Sequence, residues 1–376
     1  MSSLEVDAAH VVTPEGVIDN ARIHVKDGRI VEIVPGDGGN GLWAVPGFID
    51  THCHGAVGVS FGDDDVAANL RAVEYHRSQG STTLFASTVT LPIDVLERQL
   101  ATLRGLVEAG ELDGIHLEGP FLASEQKGAH PEELLCDPTP ERVERLIAAG
   151  GPALKMITMA VERPHMEAAV RRFVEAGVVV AFGHSDADLA TATASLDWGA
   201  NVVTHLFNAM RSIHHRTPGP IPALLTDPRV MCELICDGIH LHPKVIEMAI
   251  DAAGPGRIAL VTDAMSAAGH GDGRYVLGEL DVVVDHGTAR LTTDDGTEGA
   301  IAGSTLTMAK AFELVVRQAG VSIPMAALMA ATTPAAWHGL DEVGSLEPGK
   351  RADICLVDDD GVLRDVIRRG VRGFRK

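Results

Sequence analysis

Residues 46–55 read PGFIDTHCHG, a short apolar run that ends in His52 and His54 with Cys53 between them. In an extended strand, residues two apart share a face. His52 and His54 therefore point together and Cys53 points away. Seven later runs repeat the pattern of a buried strand with a polar end: STTLFAST (81–88), LDGIHLEG (112–119), ALKMITMA (153–160), VVVAFGHS (178–185), NVVTHLFN (201–208), MCELICDG (231–238) and RIALVTDAM (257–265). Helix-like segments such as DVLERQLATLRGLVEAG (94–110) and PHMEAAVRRFVEAG (164–177) fill most of the gaps. Eight β/α repeats predict an α/β fold of the (β/α)8 TIM-barrel type rather than an open doubly wound sheet.

The two chain ends have a different texture. ARIHVKDGRIVEIVPGDGG (21–39) carries an Asp27-Gly28 hairpin signal between strand-like runs, and the last residues give a strand, a turn at Asp360-Gly361 and further strand. They predict a small β-sandwich domain built from both termini. The expected boundaries are 1–46 and 341–376 for that domain and 47–340 for the barrel. Residues 270–300 read as a β-meander, and AGSTLTMAKAFELVVRQAG (302–320) as a helix. The arginines near the end, with Lys376, read as a solvated edge strand.

Composition narrows the function. The chain has 376 residues, 45% hydrophobic, with a formal net charge of −21. That charge argues against nucleic acid or an anionic membrane as partner. No basic, apolar leader and no membrane-length apolar run is visible, which points to the cytoplasm. Five scattered cysteines without a CxxC pair predict reduced thiols.

Polar residues cluster at the C-terminal ends of the runs: His52 and His54, His116 and Glu118, His184, His205, Asp237 with His240 just beyond, and Asp263. In a barrel those ends form the rim where catalytic groups converge. A lone histidine is usually a satisfied core residue, but six corresponding strand ends make that explanation poor for the set. Imidazoles with carboxylates suit a divalent metal, zinc first, with iron, manganese or cobalt as alternatives. A bound divalent metal lowers the pKa of its water to roughly 7, which is what hydrolysis near neutral pH needs.

The stretches PGFIDTHCHG, HLEGPF, GHSDA, THLFNAM, DGIHLHP, VTDAM and AGSTLTMA, in this order, resemble the amidohydrolase superfamily and, within it, the N-acetylglucosamine-6-phosphate deacetylases. The resemblance implies Glu118, His184 and His205 as ligands of a principal metal and Asp263 as general base and acid. It implies His240 as the group that polarises the amide carbonyl. Ala129 and His130 would contact the sugar, and Asn208, the Ala209 amide and Arg216 the phosphate. His52 and His54, with a bridging Glu118 and Asp263 nearby, would hold a second ion, so one or two metals per subunit are expected. The basic cluster Arg211, His214, His215 and Arg216 is expected to serve the phosphate.

The resemblance also implies a sugar-phosphate substrate and a homodimer. The galactosamine epimer as substrate, and a non-catalytic scaffold, stay open at this point. Lys155, near the start of its strand, reads as structural. Cys136 reads as a small loop hydrophobe, with a reactive thiol over the pocket as the weaker alternative.

Overall fold

The computed structural model describes residues 3–39, 41–293 and 299–375. Residues 294–298 of the expected meander and Lys376 lie outside the described residues. Eight parallel strands follow one another around a barrel: β1 (Phe48–Asp50), β2 (Ser81–Thr88), β3 (Gly114–Glu118), β4 (Leu154–Met159), β5 (Val179–Phe182), β6 (Val202–Val203), β7 (Met231–Ile235) and β8 (Ile258–Val261). The ring closes just past the strand ends, where Cys53 bridges Ala264 and the Asp263 N–H donates to the His52 carbonyl at 2.8 Å. β2 is buried along its whole length. A strand covered on both faces needs a near-continuous apolar run rather than an alternating one.

Helices coat the outside. The helix Ile93–Glu108 buries Leu96, Leu100, Leu103 and Leu106. Their spacing of three or four residues makes one apolar stripe, which lies on the barrel wall. The helix expected after the meander forms over Met308–Arg317, with the Thr307 side chain accepting from the Lys310 N–H as its N-cap.

β5 and β6 stop short of the runs 178–185 and 201–208. The chain leaves the ladder because His184 and His205 take left-handed backbone angles, φ 47° and 30°, as Asp263 does beyond β8 at 49°. Such positions cost non-glycine residues on the order of 1–3 kcal/mol each. Three of them gather at one mouth, where they re-aim side chains that plain strand alternation would have sent elsewhere.

The termini form a seven-stranded sheet in the order Val371–Arg375, Leu363–Arg368, Ile354–Val357, Trp43–Pro46, Ser3–Thr13, Gly16–Lys26, Arg29–Pro35, around its own core of residues such as Val6, Ile23, Ile354 and Ile367. Asp27 and Gly28 have φ 48° and 79°. Positive values at both positions define the hairpin turn that their sequence signalled. The basic tail is not simply a solvated edge. Arg368 Nε donates to the Thr82 carbonyl and Arg369 Nη2 to the Gly110 carbonyl, each at 3.0 Å, so both reach across to the barrel floor.

The expected meander pairs Gly273–Leu277, Leu280–Asp285 and Thr288–Leu291 antiparallel. Its Leu277 packs with Ala129 and Met265 and reaches the barrel mouth. Among the described residues no helix is long and apolar enough to cross a membrane.

Candidate active site

A cavity of about 350 Å³ opens at the mouth, and His54, Glu118, Ala129, His130, His184, His205, Asn208, Ala209, His240 and Asp263 line it. His52 is fully buried beside His54 and Glu118, outside the cavity lining. The ring nitrogens converge: His52 Nε2 lies 3.1 Å from His54 Nε2, and His184 Nε2 3.0 Å from His205 Nε2. Glu118 stands between the pairs, its Oε1 3.3 Å from both His184 and His205 Nε2 and its Oε2 3.1 Å from His54 Nε2. Asp263 Oδ1 is 3.2 Å from His54 Nε2 and 3.4 Å from His52 Nε2.

This donor set fits a divalent cation. Glu118 Oε1 is buried and receives no hydrogen bond. Bare imidazole nitrogens facing one another across 3.0 Å gain nothing from each other but share a positive centre well. Ligand atoms of His52, His54 and Asp263 lie within 4.8 Å of one another, as do those of Glu118, His130 and His184. All are nitrogen or carboxylate oxygen, the set that borderline first-row ions prefer.

The electrostatics follow from three buried carboxylates among imidazoles. Burial would lower His52, but Glu118, Asp263 and Glu233 outweigh it and hold the ring well above its usual value of 6.5. His54 is raised in the same way, against burial, by Asp263 and Glu118. Burial would raise Asp263, yet His52 and His54 bring it down to about 2. Glu118 is likewise held well below the carboxylate range, against burial, by His52 and its other histidine neighbours. His130 differs: burial takes it to about 4, and its Nδ1 is engaged by the Thr90 hydroxyl at 2.9 Å. His240 Nδ1 donates to Asp237 Oδ2 at 2.7 Å, leaving Nε2 for the cavity.

Several expected residues lie elsewhere. His116 shares the face of Glu118, but Ser87 Oγ at 2.9 Å and Thr158 Oγ1 at 2.8 Å occupy its two nitrogens. Arg216 does not line the cavity; it is exposed and its Nη1 meets His215 Nε2 at 2.7 Å. Arg211 pairs with Asp186. Cys53 turns away from His52 and His54 to face His76, as strand parity predicted. Burial raises the Cys136 thiol, and neither it nor Lys155 lines the cavity.

Glu233 is the residue that sequence reasoning passed over. It is fully buried on β7, with Oε2 3.3 Å from His52 Nδ1 and Oε1 accepting from Thr51 Oγ1 at 3.1 Å. A lone carboxylate inside the apolar run MCELIC was the available signal.

A β/α barrel whose mouth brings His52, His54, His184 and His205 together around Glu118, with Asp263 beside them, is built as a metal-dependent hydrolase. The chain belongs to the amidohydrolase family, whose model matches residues 43–372. It is 35% identical over 360 residues to N-acetylgalactosamine-6-phosphate deacetylase of Escherichia coli O157:H7, across 93% of this chain and 94% of that one. It is 36% identical over 321 residues to N-acetylglucosamine-6-phosphate deacetylase of Vibrio furnissii, across 84% of this chain and 79% of that one. Among solved structures, N-acetyl-D-glucosamine-6-phosphate deacetylase of Mycobacterium smegmatis, a point mutant in complex with N-acetyl-D-glucosamine 6-phosphate, superposes with a TM-score of 0.94 at 40% identity over 99% of both chains.

Proposed function

We infer that this chain hydrolyses the N-acetyl group of N-acetyl-D-glucosamine 6-phosphate, giving D-glucosamine 6-phosphate and acetate, as a step of amino-sugar catabolism. The observation that carries this reading is the metal-binding mouth itself, on a chain 40% identical throughout to a deacetylase of that sugar phosphate. The complete ligand set and the intact Asp263 argue against a scaffold. The galactosamine epimer is the second reading, because one relative carries that name.

Glu118, His184 and His205 would hold the principal ion, and His52, His54 and Asp263, with Glu118 between, a second. Zinc suits the donors best, with iron, manganese or cobalt as alternatives. A bound divalent ion supplies a water acidified to a pKa of roughly 7 and polarisation of a carbonyl oxygen. Asp263, ionised at neutral pH, accepts the attacking water's proton on its carboxylate and returns it to the departing amine nitrogen. His240, with Nδ1–H held by the Asp237 carboxylate, would act in its cationic form, donating from Nε2 to the amide oxygen as negative charge grows there. Ala129 and His130 would contact the sugar.

Asn208 and the Ala209 amide would meet the phosphate, but the cavity lining includes no lysine or arginine among the described residues. Arg216 would have to arrive by movement of its loop or from a second copy. We propose a homodimer, as the family resemblance implies, working in the cytoplasm. The barrel over 47–340 would carry the chemistry, and 1–46 with 341–376 the small domain. Acetate release from the glucosamine and galactosamine 6-phosphates and from unphosphorylated N-acetylglucosamine tests the reading. Fastest turnover of the glucosamine phosphate is expected; equal rates with and without phosphate would overturn the substrate assignment.

A further inference from the structure

The histidines of the mouth are not anchored alike. His184 Nδ1 meets a backbone carbonyl, that of Gln126, at 2.8 Å. His54 Nδ1 and His205 Nδ1 are buried without a hydrogen-bond partner among the described residues. Of the four histidines read as metal ligands, His52, His54, His184 and His205, only His52 has a carboxylate behind its Nδ1 among the described residues, Glu233 Oε2 at 3.3 Å.

Glu233 is an expensive residue to keep there. It is fully buried, and among the described residues its side chain has two polar contacts, His52 Nδ1 and the Thr51 hydroxyl. Taking a carboxylate out of water with so few partners costs several kcal/mol, and an apolar residue of similar volume would pack the β7 position without that cost. It does not line the cavity, so it cannot touch substrate.

The geometry gives it another task. Nε2 of His52 faces His54, Glu118 and Asp263. To donate its lone pair there, the ring must carry its proton on Nδ1, and Glu233 is the acceptor aimed at that atom. A carboxylate behind a ligating imidazole fixes the ring's tautomer and angle and strengthens it as a donor. We propose that Glu233 is a positioning residue for His52 and thereby sets the affinity of the ion held by His52, His54 and Asp263, while leaving the ion at Glu118, His184 and His205 alone.

This inference rests on the reading that His52 and His54 hold an ion, and the two are separable by experiment. The variant is Glu233→Gln, which keeps the volume and an acceptor for Thr51. Metal-stripped full-length wild type and variant are titrated with Zn²⁺ against a chromophoric chelator. Two classes of site are expected in the wild type. In the variant the tighter class stays within twofold and the weaker class loses about 10–100-fold in affinity. Unchanged affinity in both classes, or equal weakening of both, would overturn the role.

Nitrogen-15 NMR of histidine-labelled, zinc-loaded protein supplies the second readout. A slowly exchanging Nδ1 proton on His52 is expected in the wild type and absent in Glu233→Gln. If the wild type takes up a single ion, the two-ion reading falls and this proton decides the positioning role by itself. Its persistence in the variant would remove that role.

Discussion

The barrel holds two kinds of buried histidine, and they have opposite electrostatics. At the mouth, His52 and His54 are pushed up by facing carboxylates despite complete burial. In the barrel body, burial takes His76 down to about 4, and His116 is driven well below its usual value by burial and then by the charge of His52. The difference lies in what the nitrogens face. His76 Nε2 has the Gly55 carbonyl at 2.9 Å, and His116 has two hydroxyls. Such partners fill both nitrogens of a neutral ring at His116, while His76 keeps Nδ1 buried without a hydrogen-bond partner among the described residues. Burial therefore does not make a histidine a ligand; unsatisfied nitrogens beside anionic oxygens do.

The largest effect that would sharpen this contrast belongs to Asp263. Asp263→Asn keeps the shape but removes the proton acceptor, and a loss of about 10²–10⁴-fold in kcat is expected. Steady-state acetate release, measured beside metal content, checks it. Full activity in that variant would break the proton-transfer scheme. Next comes His54→Gln, which leaves Glu118, His184 and His205 untouched. Metal content per subunit should fall from two ions to one, and an unchanged stoichiometry would show that the His52–His54 pair is no separate site.

Much of this was legible in the sequence, for definite reasons. Each barrel strand is buried on both faces, so eight apolar runs announced eight strands. Most ionisable residues of the runs sit at their C-terminal ends, so those ends announced the mouth. Parity on a regular strand correctly separated His52 and His54 from Cys53. It could not rank His116 against Glu118, because the hydroxyls that absorb His116, on Ser87 and Thr158, come from neighbouring strands. Strand boundaries failed at His184 and His205, where left-handed backbone ends β5 and β6 early. Glu233 was missed because a carboxylate in mid-strand is visible, but its partner His52 lies across the barrel, 181 positions away in sequence.

His76 tests the other half of the contrast through stability. Its folded pKa, about 4, lies below the usual 6.5, so the folded state binds fewer protons than the unfolded chain between those values. The neutral ring's contribution is complete above pH 6.5 and is lost as pH falls through 6.5 towards 4. Linkage puts that loss at about 3 kcal/mol. His76→Gln, which keeps a donor for the Gly55 carbonyl but does not titrate, should flatten the fall in urea midpoint between pH 6.5 and 4.5. An identical acid limb in both proteins would place the titration elsewhere.

The smallest effect concerns the cation missing from the cavity lining. A dianionic substrate entering a chain of net charge −21 needs local positive charge. The nearest basic loop presents Arg216 to solvent instead of to its own mouth. If the loop or a second copy delivers it, Arg216→Ala should raise KM for the sugar phosphate by about tenfold, the value of one charge-assisted contact at roughly 1.5 kcal/mol. Activity on the unphosphorylated sugar should not change. Mixing Arg216→Ala with Asp263→Asn chains separates the two routes. Delivery between copies would build some mixed dimers with one intact site, so activity at low substrate would rise above that of either variant alone. Delivery within a chain would leave the mixture at the average of its components, and an unchanged KM in Arg216→Ala would remove the arginine from phosphate recognition altogether.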